Sequence, residues 1–256
     1  MSLAHDAEIV KLGEMTQDAF LGGQLTIAQP ARGFRAGLDS VLLGAAAGQG
    51  NRHILDLGAG VGTAALVALA LNEASRATLI ESDPATASLA SRNIVSNDFD
   101  ARATVAVADL TVSRARTAAG LGPDSFETVI ANPPFYDGGT APSARRAAAR
   151  HMSAETLDLW VKAAATHAAP GGEVIFIHTA ERLPSLLQSF ARFGAVTILP
   201  LTPREGEAAH RILIRGIKGS HAPLTLLASR PLHRHVDRVF RSEFDSIFRG
   251  RDRLHW

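Results

Sequence analysis

Residues 53–74, HILDLGAGVGTAALVALALNEA, join a short apolar run to an alanine- and leucine-rich stretch through three glycines. The apolar run predicts a buried strand, and the stretch after it predicts a helix. Gly58, Gly60 and Gly62 allow a tight turn and let a ligand approach the backbone at the helix N-terminus. Their Gly-x-Gly-x-Gly spacing differs from the Gly-x-Gly-x-x-Gly spacing of dinucleotide sites. Binding of a nicotinamide dinucleotide is therefore an alternative that the spacing disfavours.

The alternation of strand and helix continues through most of the chain. Seven strands are predicted, at 53–60, 77–83, 103–110, 126–132, 173–179, 195–201 and 211–219. Helices are predicted at 62–74, 85–97, 154–168 and 181–193, with Pro184 in the first turn of the last one. This order predicts an α/β fold with a doubly wound, mostly parallel sheet. The short polar linker 202–210 predicts that the last two strands form an antiparallel pair at one edge.

Composition narrows the class of protein. The 256 residues contain no cysteine, which excludes disulfides and thiolate metal sites and favours a reducing cytoplasm. No apolar run reaches the roughly 18 residues that span a bilayer, so we expect no membrane segment. The histidines show no ligand spacing, and we expect no metal. The formal net charge is +1, and the sequence leaves the oligomeric state open.

Acidic residues follow the glycine turn at the ends of successive predicted strands. Glu81 lies near the end of the second strand, where a carboxylate can accept hydrogen bonds from both ribose hydroxyls of an adenosine-containing ligand. Asp109 ends the third strand, where it could hold the adenine amino group. Asp56 lies inside the first strand, where an unpaired carboxylate is costly, so we expect it to face the ligand.

The stretch FETVIANPPFYDGG, residues 126–139, places a side-chain amide and two prolines at the end of the fourth strand. The side-chain oxygen of Asn132 and the carbonyl of Pro133 can accept the N–H bonds of a planar amine. Such bonds favour the tetrahedral nitrogen that develops in the transition state and direct its lone pair toward the group that it attacks. The prolines fix φ, Phe135 offers a ring for stacking, and Tyr136 could stack or pack the loop.

Together these motifs resemble class I S-adenosylmethionine-dependent methyltransferases, and Asn-Pro-Pro-Phe resembles the Asn/Asp-Pro-Pro-aromatic motif of those that modify a planar nitrogen. The preceding segment resembles the tRNA adenine methyltransferases that act beside the anticodon. The shared pattern is Gln29-Pro30, Gly33-Phe34-Arg35, Leu38-Asp39 and Leu42-Leu43. The resemblance extends to ARHM, PGGEVIFIH and RILIRGIKGS and so covers most of the chain.

The resemblance implies the cofactor S-adenosylmethionine and methylation of the 6-amino group of an adenine in tRNA. It implies a catalytic set of Asn132, Pro133, Pro134 and Phe135. The expected cofactor-binding residues are Gln29, Arg35, Asp39, Asp56, Gly58, Gly60, Gly62, Glu81, Asp109 and Asn132. The expected substrate-binding residues are Phe135, Tyr136, Arg145, Arg146 and Arg150. The chain departs from the family in having Phe135 where relatives often have tyrosine, and in its arginine-rich tail.

We expect three parts: residues 1–50 cap the cofactor site, 51–220 form the methyltransferase domain, and 221–256 form a basic tail packed on it. Apolar residues at helical spacing in the tail predict an amphipathic helix: Val239, Phe240, Phe244, Ile247 and Phe248. The arginines of the tail could face RNA while the apolar side packs on the domain.

Other acceptors remain open. Protein glutamine methyltransferases, such as those acting on release factors, use the same motif, but they carry a larger helical domain than residues 1–50 offer. A DNA adenine methyltransferase needs a target-recognition domain, for which we expect the residues after RGIKG to be too few. A small-molecule O-methyltransferase usually needs a metal or a general base, and the motif offers neither. A non-enzymatic binding module would have no physical need for the intact acidic and amide set.

Overall fold

The computed structural model describes residues 14–32, 35–48, 50, 52–134, 153–234 and 239–256. They form a nine-stranded sheet with helices on both faces, and a separate two-stranded hairpin. Within these ranges, no helix is long and apolar enough to cross a bilayer.

The sheet follows the predicted alternation. The strands are β1 Met15–Phe20, β2 Leu25–Pro30, β3 His53–Leu57, β4 Arg76–Glu81, β5 Ala103–Val107, β6 Phe126–Ala131, β7 Ala168–Thr179, β8 Gly194–Thr202, β9 Arg211–Ile217, β10 Thr225–Leu226 and β11 Arg230–Pro231. The order in the large sheet is β10-β8-β9-β7-β6-β3-β4-β5, and β11 also pairs with β8. The predicted seven strands are therefore the body of the sheet, and two short strands extend it.

Strand direction agrees with the expected class I fold. β3 is parallel to both β4 and β6, and the parallel run continues outward to β5 and β7. Only β9 among these strands is reversed, and it pairs antiparallel with β7 and β8. The carboxyl ends of β3, β4, β5 and β6 consequently meet along one edge of the sheet.

The helices cover both faces. They are α1 Leu38–Ala46, α2 Thr63–Ala70, α3 Pro84–Ser96, α4 Ser113–Ala118, α5 Ala154–His167, α6 Leu183–Phe190 and α7 Ser242–Phe248. Alternate residues of β3 enter different clusters of buried side chains: Ile54 packs with α1, α2 and α3, whereas Leu55 and Leu57 pack with α5 and α6. This two-sided burial is what a central parallel strand requires.

The two largest differences from the predicted boundaries are at the start of β7 and the end of α2. The sequence Pro170-Gly171-Gly172 lies within β7, where the register against β6 shifts, and does not separate α5 from the strand. The Gly171 amide donates to the Lys218 carbonyl and the Lys218 amide donates to the Gly172 carbonyl, both at 2.9 Å, so this segment continues the pairing with the end of β9. Helix α2 ends at Ala70, and the Arg102 guanidinium donates hydrogen bonds to carbonyls at and after its last turn, at distances of 2.7–3.3 Å. This capping ends the helix earlier than its composition predicts.

The β1–β2 hairpin of the N-terminal segment is held by two asparagines of α3. Asn93 accepts a hydrogen bond from the Ala28 amide at 2.8 Å and donates one to the Ala28 carbonyl at 2.9 Å. Asn97, one turn later, makes the same pair of bonds with Thr26, both at 2.9 Å. The two carboxamides thus act as a partner strand for β2, because they meet alternate residues of its free edge.

The C-terminal segment packs on α1 and on the turn of the hairpin. Phe244 and Ile247 of α7 are fully buried. Beyond α7, the Leu254 amide donates to the Ala45 carbonyl at 3.0 Å and the Trp256 indole donates to the Ala46 carbonyl at 3.1 Å. Of the predicted apolar set, Phe244, Ile247 and Phe248 lie in α7 and pack against the core. Val239 and Phe240 precede the helix, and Val239 is 50% exposed.

Candidate active site at the carboxyl edge of the sheet

A cavity of about 410 Å³, here called the first cavity, opens at the carboxyl ends of β3, β4 and β6. Six predicted cofactor residues lie in its wall: Asp56, Gly58, Gly60, Glu81, Asp109 and Asn132. Its N-terminal wall is formed by Pro30, Arg32, Ala36 and Ser40. Parallel strands with this order bring these residues together, because each strand ends at the same edge.

Each of the three positions in the turn is a glycine for a different physical reason. A Cβ on Gly58 would lie 2.3 Å from the Trp160 ring, so the position excludes any side chain while that indole packs there. Gly60 has φ +57° and open space where a Cβ would project, as expected where a ligand approaches the backbone. Gly62 is the N-cap of α2, and a Cβ there would lie 2.9 Å from Leu79.

Glu81 is held in place by the backbone around it. Its Oε2 accepts a hydrogen bond from the Gly60 amide at 2.9 Å, and its Oε1 accepts one from the Asp83 amide at 2.9 Å. Oε2 has a second acceptor site, and the Ser82 hydroxyl that donates to Oε1 at 3.2 Å can rotate to leave a site there. The carboxylate can therefore brace the glycine turn and still accept two hydroxyl groups from a ligand.

Asp109 lies two residues beyond the end of β5, in an exposed turn. Its Oδ1 accepts hydrogen bonds from the Thr111 amide at 2.8 Å and from the Thr111 hydroxyl at 2.6 Å. Both bonds go to Oδ1, which orients Oδ2 as the atom that could accept from an amino group in the cavity.

Asp56 is buried in the wall of the first cavity and is 2% exposed. Its Oδ2 accepts a hydrogen bond from the Ala65 amide at 3.2 Å. Burial raises the pKa of this carboxyl from 3.8 to about 7, against the effect of that hydrogen bond and reinforced by the negative charge of Glu81. A cationic ligand group beside it would favour the ionised form and relieve the cost of burial.

Asn132 follows β6 directly, and its side-chain oxygen is a buried acceptor without a hydrogen-bond donor in the described part of the chain. A buried carboxamide oxygen without a donor costs free energy, and such atoms are rare in folded proteins. Pro133 is buried and Pro134 borders the first cavity. The site thus holds an acceptor that a ligand N–H could satisfy.

A second cavity, of about 330 Å³, lies beyond Asn132 on the side of β8 and β9. It is lined by Arg35, Gly37, Leu38, Asp39, Ser40, Asn132, Leu201, Pro203, His210, Arg211, Leu232 and His233. Asn132 and Ser40 border both cavities, so the two spaces adjoin at the carboxamide.

The three predicted cofactor residues of the N-terminal segment do not lie in the wall of the first cavity. Arg35 and Asp39 line the second cavity, where Asp39 pairs with Arg211 at 3.0 Å. Gln29 is 1% exposed and donates to Asp18 at 2.6 Å, and Asp18 also pairs with Arg35 at 2.6 Å. The hydrogen bond from Gln29 is the main cause that lowers the pKa of Asp18, with the charge of Arg35 adding to it. Gln29 also accepts a hydrogen bond from the Ala36 amide at 2.9 Å, which holds Ala36 in the wall of the first cavity.

The predicted substrate-binding residues Phe135, Tyr136, Arg145, Arg146 and Arg150 lie outside the described residues. Other residues of the first cavity carry no signal in the sequence alone. Trp160 comes from α5, and its contact with Gly58 joins positions about a hundred residues apart. Ser40 and Arg32 come from the N-terminal segment, in which sequence reasoning selected their neighbours.

The strand order, the glycine turn with its bracing acid and the amide after β6 define an S-adenosylmethionine-dependent methyltransferase of class I. The chain belongs to the family described as methyltransferase small domain, whose model matches residues 39–199. Two curated relatives are named tRNA1(Val) (adenine(37)-N6)-methyltransferase. The relative from Porphyromonas gingivalis strain W83 is 33% identical over 72% of this chain and 73% of its own. The relative from Actinobacillus succinogenes is 32% identical over 72% of this chain and 77% of its own.

Solved structures agree with this assignment. A protein from Agrobacterium tumefaciens described as a predicted O-methyltransferase is 30% identical, with a TM-score of 0.72 over 84% of this chain and 98% of that chain. A geranyl diphosphate C-methyltransferase from Streptomyces coelicolor, solved with S-adenosyl-L-homocysteine, has a TM-score of 0.51 at 14% identity. It covers 70% of this chain and 79% of that chain, and it shares the fold.

Proposed function

We propose that this enzyme transfers the methyl group of S-adenosylmethionine to the exocyclic 6-amino group of an adenine in tRNA, in the cytoplasm. The observation that carries the proposal is the buried side-chain oxygen of Asn132 at the wall between two cavities, which no donor among the described residues satisfies. Relatives that are 32–33% identical over 72% of the chain carry names for this reaction, which supports the same acceptor here.

The first cavity suits the cofactor by its chemistry. Glu81 accepts the two ribose hydroxyls while it braces Gly60, whose open side lets the ligand approach the backbone. Asp109 accepts from the adenine amino group through Oδ2. Asp56, whose pKa of about 7 leaves it readily ionised by a neighbouring cation, faces the amino group of the methionine end. The sulfonium supplies an electrophilic methyl group.

The acceptor amine approaches Asn132 from the second cavity. Its lone pair is delocalised into the ring, so it is a poor nucleophile until the nitrogen becomes tetrahedral. Asn132 Oδ1 and the Pro133 carbonyl accept its two N–H bonds and favour that geometry, and the proline φ angles hold both acceptors in place. As the N–C bond forms, the S–C bond breaks, and the positively charged nitrogen then releases a proton to solvent.

This arrangement favours nitrogen over oxygen as the acceptor atom. A carboxamide accepts hydrogen bonds but does not take up a proton near neutral pH, because it is not basic. A hydroxyl acceptor must lose its proton to become a strong nucleophile, whereas an aromatic amine can lose it after transfer. Asn132 therefore fits amine methylation and gives an alcohol no base.

Two experiments test the proposal. Labelled S-adenosylmethionine is offered to small RNA and, separately, to protein from cells that lack the enzyme. Label in RNA that digests to 6-methyladenosine supports the proposal, and label in protein or in neither pool refutes the acceptor.

The Asn132→Ala variant should keep its cofactor affinity and melting temperature and lose about 10²–10³-fold in kcat, the usual effect of removing a transition-state hydrogen bond. An equal loss of cofactor affinity would contradict the role given to Asn132.

A further inference from the structure

We infer that the second cavity holds the target nucleotide and that Arg35 and Arg211 bind the phosphodiester beside the target base. This inference rests on the proposed function and adds two residues to substrate recognition. It places Arg35 on the substrate side of Asn132, whereas the sequence motif places it at the cofactor.

The position of the second cavity supports the inference. The first cavity contains the residues suited to the cofactor, and Asn132 separates it from the second cavity. A methyl group that leaves the first cavity at Asn132 must meet an acceptor that approaches from the other side. The volume of about 330 Å³ lies within the range of small-molecule sites, which suits one nucleotide.

The charge and the apolar lining of the second cavity also fit a nucleotide. Arg35 and Arg211 lie in the wall with partly exposed side chains, 35% and 32%. Apolar residues Leu38, Leu201 and Leu232 form other parts of the wall, as a base needs. A planar guanidinium binds phosphate oxygens through paired N–H donors and is the side chain best suited to that task.

Each of the two arginines forms an ion pair with an acidic residue, which orients its guanidinium group in the cavity wall. Asp18 pairs with Arg35 at 2.6 Å, and Asp39 pairs with Arg211 at 3.0 Å. Such pairing limits the rotamers of a long side chain before a ligand arrives and reduces the entropy lost on binding. A phosphodiester can then bind to a guanidinium that is already oriented.

Contacts also fix the position of His233, which lies in another part of the wall of the second cavity. The His233 ring stacks on Phe240, with ring centroids 4.7 Å apart and an interplanar angle of 22°, and the His233 amide donates to the Pro203 carbonyl at 3.0 Å. These contacts tie the segment after β11 to the end of β8. The C-terminal segment thereby contributes to the substrate side of the site, not only to packing on α1.

The test compares Arg35→Gln and Arg211→Gln with the control Arg204→Gln. Arg204 lies in the connection between β8 and β9, which ends at Arg211, pairs with Glu207 at 3.4 Å and lines neither cavity. Each enzyme is assayed on an unmodified anticodon stem-loop RNA over a range of salt concentrations, and on free adenosine at high concentration. Cofactor affinity and melting temperature are measured in parallel.

We expect each cavity variant to raise KM for the stem-loop about tenfold with little change in kcat. The slope of log affinity against log salt should fall by about one unit per arginine, because one phosphate contact is lost. Activity on adenosine, cofactor affinity and the Arg204→Gln control should not change. An unchanged salt slope, or a loss of cofactor affinity, would overturn the inference. If the parent enzyme modifies no RNA, the proposed function itself fails, and the two failures are thus distinguishable.

Discussion

Replacing Asp56 by asparagine tests whether this buried carboxyl group serves the cofactor at a cost to stability. Its pKa is raised from 3.8 to about 7 by burial in the folded protein, whereas the unfolded chain exposes it to water. The folded protein therefore keeps a proton that the unfolded chain releases between about pH 4 and pH 7. The free energy of unfolding falls as the pH rises through that window, and the penalty is complete above it.

The size of the penalty follows from the shift in pKa. A shift of about three units at about 1.4 kcal/mol per unit gives an upper bound of about 4 kcal/mol above pH 7. Asparagine has no charge, and its side-chain oxygen can still accept the bond from the Ala65 amide. The Asp56→Asn protein should thus be more stable than the parent above pH 7, by several degrees in melting temperature, and equally stable near pH 4.

The assay is thermal unfolding of both proteins without cofactor from about pH 4 to pH 8.5, followed by calorimetric titration with S-adenosylmethionine at about pH 8. We expect the variant to bind the cofactor at least about tenfold more weakly, a loss of about 1.4 kcal/mol, because it lacks the counter-charge for the amino group. A stability difference that does not grow with pH would refute the raised pKa. Unchanged binding would refute the position of Asp56 at the methionine end.

Two further predictions concern the framework of the site. Gly58→Ala should lower the free energy of unfolding by more than about 2 kcal/mol, because the Cβ meets Trp160 at 2.3 Å, whereas Gly60→Ala has open space and should cost only about 1 kcal/mol of backbone strain. Equal losses in chemical denaturation would contradict this account of the turn. Asn93→Ala should destabilise the protein by about 2–4 kcal/mol and weaken cofactor binding, since Asn93 is fully buried and also donates to the glycine turn at the Val61 carbonyl, at 3.0 Å. Asn97→Ala removes the same kind of bonds at the surface and should cost under about 1 kcal/mol, and a reversed order of the two melting temperatures would argue against the hairpin contacts.

The parallel sheet was predictable because its signals are local. The strands β3, β4, β5 and β6 are runs of five or six mostly apolar residues that end at or within two residues of a glycine, an acid or Asn132, and several helices begin with a recognisable residue. Asp83, for example, accepts a hydrogen bond from the Thr86 amide at 3.1 Å and caps α3 before Pro84. Local signals of this kind also placed Glu81 and Asn132 at the correct edge.

The β1–β2 hairpin was not predictable, because its stability comes from distant contacts. The free edge of β2 is paired by Asn93 and Asn97, which lie 65 and 71 residues further along the chain. The position of Asp39 depends likewise on its pairing with Arg211, 172 residues away, and that of Arg35 on its pairing with Asp18, 17 residues before it. Motif spacing selects such residues as functional, but it does not show which side of Asn132 they occupy.

That side matters for how the N-terminal segment works. Pro30, Ala36 and Ser40 border the first cavity, while Arg35 and Asp39 border the second, so one short segment contributes to both walls. Its position depends on the bonds of Gln29, which link the Asp18 carboxylate to the Ala36 amide, at 2.6 and 2.9 Å. Because the same backbone forms the edge of both cavities, a change in one site that moves this segment must also alter the other. Cofactor and RNA affinities should therefore be coupled through the bonds of Gln29, which Arg35→Gln leaves in place. A Gln29→Ala enzyme should weaken both affinities, while Asn132→Ala leaves cofactor binding intact.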